Sequence, residues 1–188
     1  MNKKIQIEVE LRSMFSESEY NELAEFFKKN AKDLGEDDKD AYFFILPDKL
    51  VKVVNNISQK SAKIVLKLTK IGKGSGFEEI EILINQNDIE KAVKLFDALG
   101  LNEVQHFFQK RHNYLYKDVE IALKYSDAWG YHMELEKIVG DKSEVLEAER
   151  QIREIASEFD IHIMTNEELK EFTEKKDREY KYESLKLK

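Results

Sequence analysis

Residues 7–12 read IEVELR, and apolar and charged residues alternate strictly along this segment. In a β-strand successive side chains point to opposite faces, so Glu8, Glu10 and Arg12 would share one face and three aliphatic residues the other. The aliphatic face must pack against another part of the protein. The pattern predicts a strand over residues 5–12 and raises the question of what its charged face contacts.

Further β-rich segments follow, and most of them also have one apolar face and one charged or polar face. The segments are joined by short connections, which favours an antiparallel sheet. Strands are predicted at 42–46, 49–54, 62–69, 77–84, 104–116, 119–125, 131–138 and, as a short piece, 161–164. The polar faces would carry Lys52, Lys63, Lys67, Glu79, Glu81, Gln109, Arg111, Glu120, Lys124, His132, Glu134 and Glu136.

Helical spacing of apolar residues predicts four helices between and after these strands. Capping boxes at Ser16–Glu19 and Thr165–Glu168 mark two of the helix starts. The helices are predicted from 16 to about 30, from 87 or 88 to 99 with Gly100 following, from 143 to 159, and from 165 to about 178. The acidic segment 32–41 is predicted to be a loop. Residues 1–180 are assigned to one domain, and the tail 181–188 is predicted to fray.

This order of elements predicts an α+β protein with about eight strands. In an open antiparallel sheet, helices would cover one face and water the other. In a closed barrel, which ~8 strands can form around a narrow interior, the charges would lie inside. The barrel is favoured by the mixture of both charge signs within strands and by Glu-x-Glu in three strands. Buried carboxylates would then need basic neighbours or a metal ion, because an unpaired buried charge is costly.

The Glu-x-Glu spacing has a specific consequence on a strand. It puts two carboxylates on the same face, ~6.5–7 Å apart along the backbone. Such a pair suits Mg²⁺, which binds through one or two carboxylates and substrate phosphates. Lysine and arginine side chains on neighbouring strands would bind the phosphate oxygens.

Composition narrows the range of partners. The 188 residues carry a net charge of −7 with a sequence pI of about 5.3, which argues against general affinity for nucleic acid or an anionic membrane. The absence of cysteine excludes disulfides and Cys-ligated zinc. No apolar run approaches the ~20 residues of a membrane span, and the amino-terminal segment lacks the apolar core of a secretory signal. We therefore expect a cytoplasmic protein, as a monomer or homodimer.

The motifs together resemble the CYTH family, the triphosphate tunnel metalloenzymes. The family's first strand carries Glu-x-Glu-x-Lys, which reads EVELR here with Arg12 in place of the lysine. A later Gly-x-Phe-x-Glu-x-Glu strand is similar to GYHMELE, from Gly130 to Glu136. Between them, QKR ending at Arg111, VLK ending at Lys67 and FEEIEI resemble three further strands of the family. The resemblance covers residues 5 to about 172.

The resemblance implies a closed eight-stranded antiparallel β-barrel with flanking helices, which binds a small-molecule triphosphate. It also implies Mg²⁺ or Mn²⁺ as cofactor and activities that include triphosphate hydrolysis and the cyclisation of ATP. Glu8 and Glu10 are predicted as catalytic residues, and Glu8, Glu10, Glu134 and Glu136 as metal ligands. Arg12, Lys52, Lys63, Lys67, Arg111 and Lys124 are predicted to bind the triphosphate, with Glu79 and Glu81 as supporting acids.

The chain also departs from the family pattern. Phe77 stands where the family has an arginine, and Gln109 where it has a lysine, unless the register turns Lys110 inward. Lys124 stands near the position of an aspartate that belongs to the family's metal site. We predict a divergent triphosphatase-like phosphohydrolase acting on inorganic triphosphate, thiamine triphosphate or a nucleoside triphosphate. The alternatives are a class IV-type adenylyl cyclase and a non-catalytic triphosphate-binding module.

Overall fold

A computed structural model describes residues 7–69, 74–101 and 103–186, without the side chains of residues 77 and 181–186. Its strands are β1 (Ile7–Met14), β2 (Lys32–Glu36), β3 (Lys39–Ile45), β4 (Leu50–Asn56), β5 (Ser61–Lys67), β6 (Gly76–Ile84), β7 (Val104–Tyr116), β8 (Val119–Ser126) and β9 (Gly130–Val139). Its α-helices are α1 (Glu17–Asn30), α2 (Ile89–Ala98), α3 (Val145–Glu158) and α4 (Asn166–Lys186).

Eight of these strands close into an antiparallel barrel. Their order is β7-β3-β4-β5-β6-β1-β9-β8, and β8 pairs back with β7 to complete the cycle. The ninth strand, β2, pairs with β7 alone and lies outside the cycle. The prediction of a closed eight-stranded barrel with flanking helices is confirmed, and the open sheet is not what the chain forms.

A large apolar core lies outside the barrel wall, beneath α1 and α3. Met133 and Leu135 of β9 are fully buried in it, with Ile152 of α3 and Phe27 of α1. Phe27 is surrounded by aromatic rings, with ring-centroid distances of 5.1 Å to Phe159 and 5.9 Å to Tyr116. These contacts use the apolar faces of β1, β8 and β9, so their other faces are left to line the barrel.

A smaller apolar core lies beneath α2. Phe44 of β3 and Val51 and Val53 of β4 are buried there, and Phe96 of α2 packs against Phe44 at a ring-centroid distance of 5.2 Å. Gly100, directly after the helix C-cap, has a φ of +84°, as predicted for the residue that ends this helix. The charged faces of β4 and β5 therefore also point into the barrel.

Capping chemistry fixes two helix starts as predicted. Ser16 and Glu19 form a reciprocal capping box at the start of α1. The Glu168 backbone N–H donates to the Thr165 hydroxyl at 3.1 Å, and the Thr165 N–H donates to the Glu168 carboxylate at 2.7 Å. Each box satisfies backbone donors that a helix start leaves unpaired.

Three local predictions differ from the structure. The segment predicted as a loop contains β2 and the start of β3, because the long strand β7 offers pairing partners to both. Residues 161–164 are not a strand, although the Met164 N–H donates to the Arg12 carbonyl at 2.9 Å beside β1. The last helix extends through Lys186, past its predicted end, while residues 187–188 of the predicted frayed tail lie outside the described residues.

Candidate functional site

The polar faces of the strands meet inside the barrel and line a single tunnel. This cavity has a volume of about 1160 Å³. The twelve residues predicted as site residues all line it, namely Glu8, Glu10, Arg12, Lys52, Lys63, Lys67, Glu79, Glu81, Arg111, Lys124, Glu134 and Glu136. The charged face of the first strand therefore contacts the charged faces of the other strands.

Strand register brings opposite charges next to each other across the tunnel wall. Arg12 on β1 is the register partner of Glu134 on β9, and Lys67 on β5 is the partner of Glu79 on β6. Directly opposed residues of an antiparallel pair have Cβ atoms only ~4.5–5.5 Å apart. These pairs therefore form as soon as the strands adopt this register.

Arg12 joins the two acidic strands. Its guanidinium forms an ion pair with Glu10 and donates from Nε to Glu134 Oε1 at 3.0 Å. Burial by itself would lower the pKa of Arg12, but the two carboxylates outweigh it and raise the pKa. Arg12 therefore remains charged and forms ion pairs with both glutamates.

Lys67 is the second buried cation and lies among three carboxylates. Its Nζ is 2.8 Å from Glu79, 3.1 Å from Glu10 and 3.6 Å from Glu8. Burial opposes the charged form, yet Glu10 and Glu8 raise the pKa of Lys67. Glu10 Oε1 and Glu79 Oε1 accept no regular hydrogen bond from a described residue, although each is within ion-pair distance of a cation.

Glu8 and Glu136 form the part of the cluster with the fewest cations. The Glu136 carboxyl is in hydrogen-bonding contact with Glu8. Burial and this neighbouring acid raise the pKa of Glu136 to about 9. Glu136 is therefore protonated at neutral pH, and a cation bound there would take the proton's place.

Two lysines in the tunnel have lowered pKa values. Burial and the nearby ammonium group of Lys67 lower the pKa of Lys52 to about 8. Burial lowers the pKa of Lys124 to about 7, against the attraction of Glu134 and with added repulsion from Arg111. An anion in the tunnel would stabilise the charged form of both lysines, because an opposite charge nearby favours ionisation.

Arg111 extends the charged network to a pair that the sequence did not reveal. Its Nε is 3.1 Å from Asp37, which also pairs with Lys39 at 2.7 Å. Asp37 and Lys39 lie in the segment predicted as a loop, so no strand alternation assigned their side chains to a face. Lys39, Ala41 and Phe43 occupy alternate positions and all line the tunnel, so this spacing could have indicated that Lys39 faces inward.

Gln109 and His132 lie beside Lys124 on the tunnel wall. Gln109 Nε2 is 3.4 Å from His132 Nε2, and His132 Nδ1 is 2.9 Å from the Gly130 carbonyl. Burial and Lys124 lower the pKa of His132 to about 4, so the ring is neutral and fixed by hydrogen bonds. Gln109, and not the exposed Lys110, is the residue that faces the tunnel.

Helix α4 contributes side chains to one end of the tunnel, which no sequence pattern indicated. Gln105 donates to Asp177 of α4 at 2.7 Å, and Trp129 packs edge-on against Phe172 with ring centroids 5.0 Å apart. Thr173 and Lys176 of the same helix also line the cavity. The helix surface is mostly polar, so its inward side has no apolar signature.

The residues present fit a divalent cation at one place. Within residues 7–69, 74–101 and 103–186, no three or more acidic or histidine side chains are grouped as a preformed metal site. Glu8 and Glu136, however, are two hard oxygen donors in contact, with Lys67 3.6 Å from Glu8. Two carboxylates completed by phosphate oxygens and water are a common environment for Mg²⁺. Glu10 and Glu134 are instead engaged by side-chain cations, and their assignment as metal ligands stays a prediction.

The family model for the CYTH domain matches residues 6–168. The chain belongs to the CYTH family. A search of curated proteins found no match. No α-helix in the described part of the chain is both long and apolar enough to cross a membrane.

Solved structures share the CYTH architecture of this chain. The PH1012 protein of Pyrococcus horikoshii matches with a TM-score of 0.68 and 20 % identity, over 86 % of this chain and 99 % of that one. A candidate adenylate cyclase from Vibrio parahaemolyticus matches with a TM-score of 0.65 and 14 % identity, over 90 % and 98 %. HpAC1 from Hippeastrum, a candidate adenylyl cyclase with a dominant triphosphatase activity, matches with a TM-score of 0.59 and 15 % identity. This match covers 85 % of this chain and 90 % of that one. At these identities the likeness concerns the fold.

Proposed function

We propose that this CYTH protein hydrolyses a linear triphosphate inside its tunnel, with Mg²⁺ or Mn²⁺ as cofactor. The observation that carries this proposal is the set of cations on the inner wall of a closed barrel. Arg12, Lys67 and Lys124 are each at most 4 % exposed, and all three line the cavity together with Arg111 and Lys52. Burying so many charges is costly, and a polyanion is the ligand that would compensate this cost.

The basic residues would bind and orient the phosphate chain. Arg12 and Arg111 present planar guanidinium groups, which suit two-point contacts with phosphate oxygens. Lys52 is half-buried and lines the tunnel but forms no ion pair with a described residue, so its ammonium group is available for an anion. Lys63 pairs with Glu81 where both are partly exposed, which supports a role for Lys63 at the tunnel mouth.

The acidic residues would serve the metal and the cations. Glu8 and Glu136 would bind the divalent ion, which supplies charge neutralisation at the phosphate oxygens during transfer to water. Glu10 and Glu79 would keep Lys67 charged and in place, through contacts of 3.1 and 2.8 Å. Hydrolysis forms a bond from water to the terminal phosphorus and breaks the bond to the departing diphosphate portion.

Phosphorus NMR tests the proposal. Inorganic triphosphate, thiamine triphosphate and ATP are each incubated with the protein and Mn²⁺, which is removed before spectra are recorded. The variants are Glu8→Gln and Glu10→Ala, with Glu90→Gln as matched control, because Glu90 is exposed on α2 outside the barrel. We expect phosphate release by the wild type and the control, and a loss of at least about 100-fold in the two tunnel variants.

The products distinguish the alternatives. Cyclic AMP and pyrophosphate from ATP would identify a cyclase in place of a hydrolase. Stabilisation by triphosphate without any turnover would identify a binding module, since a ligand that binds only the folded state raises its stability. Turnover that survives in both tunnel variants would refute the proposed site.

A further inference from the structure

Glu134 has three cationic side chains within ion-pair distance, whereas Glu10, the other tunnel acid paired with cations at both carboxylate oxygens, has two, Arg12 and Lys67. Its Oε1 accepts from Arg12 Nε at 3.0 Å. Its Oε2 accepts from Lys124 Nζ and lies 3.7 Å from Arg111. Three side-chain cations from three strands therefore converge on this carboxylate.

The other end of the acidic cluster shows the opposite arrangement. Glu136 lies two residues along β9 and faces the same tunnel, yet no described cation forms an ion pair with it. Its carboxyl instead contacts Glu8. The cluster thus has one carboxylate with three ion-paired cations and one acidic pair whose only ion-paired cation among the described residues is Lys67, 3.6 Å from Glu8.

Lys124 is the cation that sets Glu134 apart, because among the described residues it is not shared with another carboxylate. Arg12 is shared with Glu10, and Arg111 is shared with Asp37 at 3.1 Å and Glu120 at 3.5 Å. Lys124 has Glu134 as its only ion-pair partner among the described residues, and it is 4 % exposed. An ammonium group is a compact point charge, so it can neutralise a carboxylate as an inorganic cation does.

We propose that the Lys124 ammonium group occupies the position of a divalent cation at Glu134, so that the tunnel takes up one metal ion fewer than its acidic residues could bind. The inference rests on the proposed metal-dependent function. Lys124 would neutralise Glu134 and donate hydrogen bonds to phosphate oxygens. The one divalent ion would bind at Glu8 and Glu136.

Metal stoichiometry tests the inference without any turnover. Mn²⁺ binding is measured by calorimetry and by electron paramagnetic resonance, with Mn²⁺ as the only added ligand. We expect one Mn²⁺ per wild-type chain and two per chain in Lys124→Met, which retains side-chain length without charge. The second ion should also broaden the resonance spectrum, because two Mn²⁺ ions would lie in the same tunnel.

Lys52→Met is the matched control. It removes one positive charge from the same tunnel, but no described contact joins Lys52 to Glu134. We expect one Mn²⁺ per chain in this variant and also in Lys124→Arg. A second ion gained equally by Lys52→Met would show a general effect of charge and would overturn the proposal.

The remaining outcomes are equally decisive. Equal stoichiometry in wild type and Lys124→Met, whatever its value, refutes the replacement of a metal by Lys124. Two Mn²⁺ ions in the wild type refute it even where a Lys124 variant does not fold. Protein that gains the second ion but releases no phosphate supports this inference and refutes only the proposed hydrolysis.

Discussion

The two faces of the barrel wall differ although the same strands form them. On β9, Met133 and Leu135 point outward and are fully buried under α3, while Glu134 and Glu136 point inward to the tunnel. Burial of each outward side chain is worth ~1.5–3 kcal/mol. Buried ion pairs are close to neutral in net stability, because desolvation offsets their attraction. The apolar packing of the outer face therefore supplies the stability of the fold. That stability offsets the cost of burying the charges of the inner face.

The largest expected effect follows from removing a shared cation of the inner face. Arg12→Met leaves Glu10 and Glu134 without their common partner, so we expect a loss of about 3–5 kcal/mol in the free energy of unfolding. Urea denaturation measures it. Arg150→Met is the control, because the ion pairs of Arg150 with described residues are all with exposed glutamates of its own helix. Equal effects of the two substitutions would mean that the tunnel charges are not desolvated.

A comparable effect is expected on the outer face for a different reason. Phe27 is 0 % exposed within an aromatic cluster, so Phe27→Ala should cost about 3–5 kcal/mol through lost burial and the resulting cavity. Leu146→Ala on α3 is the control, since Leu146 is 79 % exposed. Salt should leave the Phe27→Ala effect unchanged. A marked salt dependence would contradict its assignment to apolar packing.

The pH dependence of stability sharpens the contrast. The pKa of Glu136 is raised by burial and Glu8, from an unfolded value near 4.5 to about 9. The folded state therefore binds the extra proton, and its stabilising contribution is complete below about pH 4.5 and is lost as pH rises towards 9. In wild type this should lower the free energy of unfolding by up to about 1.4 kcal/mol per pH unit, and Glu136→Gln should remove that decline.

This decline is measured as the difference between variant and wild type from pH 5 to 9. The variant must be compared with wild type because other groups also make stability depend on pH. Lys52 and Lys124 have lowered pKa values, so above about pH 7 they make the free energy of unfolding rise with pH. Glu8, Glu10 and Arg111 face Glu136 from β1 and β7 and remain in both proteins. A constant difference across this range would show that Glu136 is not protonated in the folded protein.

The smallest effect is expected at the tunnel mouth. Lys63 and Glu81 pair where both side chains are about one-third exposed or more, so Lys63→Met should change stability by less than about 1 kcal/mol. Lys67→Met, four residues along the same strand, should cost several-fold more, because three carboxylates lose their cation. Similar values for the two lysines would remove the distinction between mouth and interior.

Much of this arrangement could be predicted from local patterns. Alternation assigned each predicted site residue, from Glu8 to Glu136, to a strand face, because side-chain direction on a strand depends only on odd or even position. The capping boxes at Ser16 and Thr165 were visible because their partners lie three residues apart. Asp37 and Lys39 were missed, because strand formation there depends on β7, about 70 residues further along the chain.

The sequence by itself determined which residues are charged, which face of each strand they occupy, and the family to which their spacing belongs. Tertiary structure alone decided that β1 pairs with β6 and β9 and that β3 pairs with β7, which closes the barrel, and that α4 lines its end. It also decided that Glu134 meets Arg12 while Glu136 meets Glu8. The physical reason is that these contacts join distant strands, and their register follows from the pairing of the whole barrel.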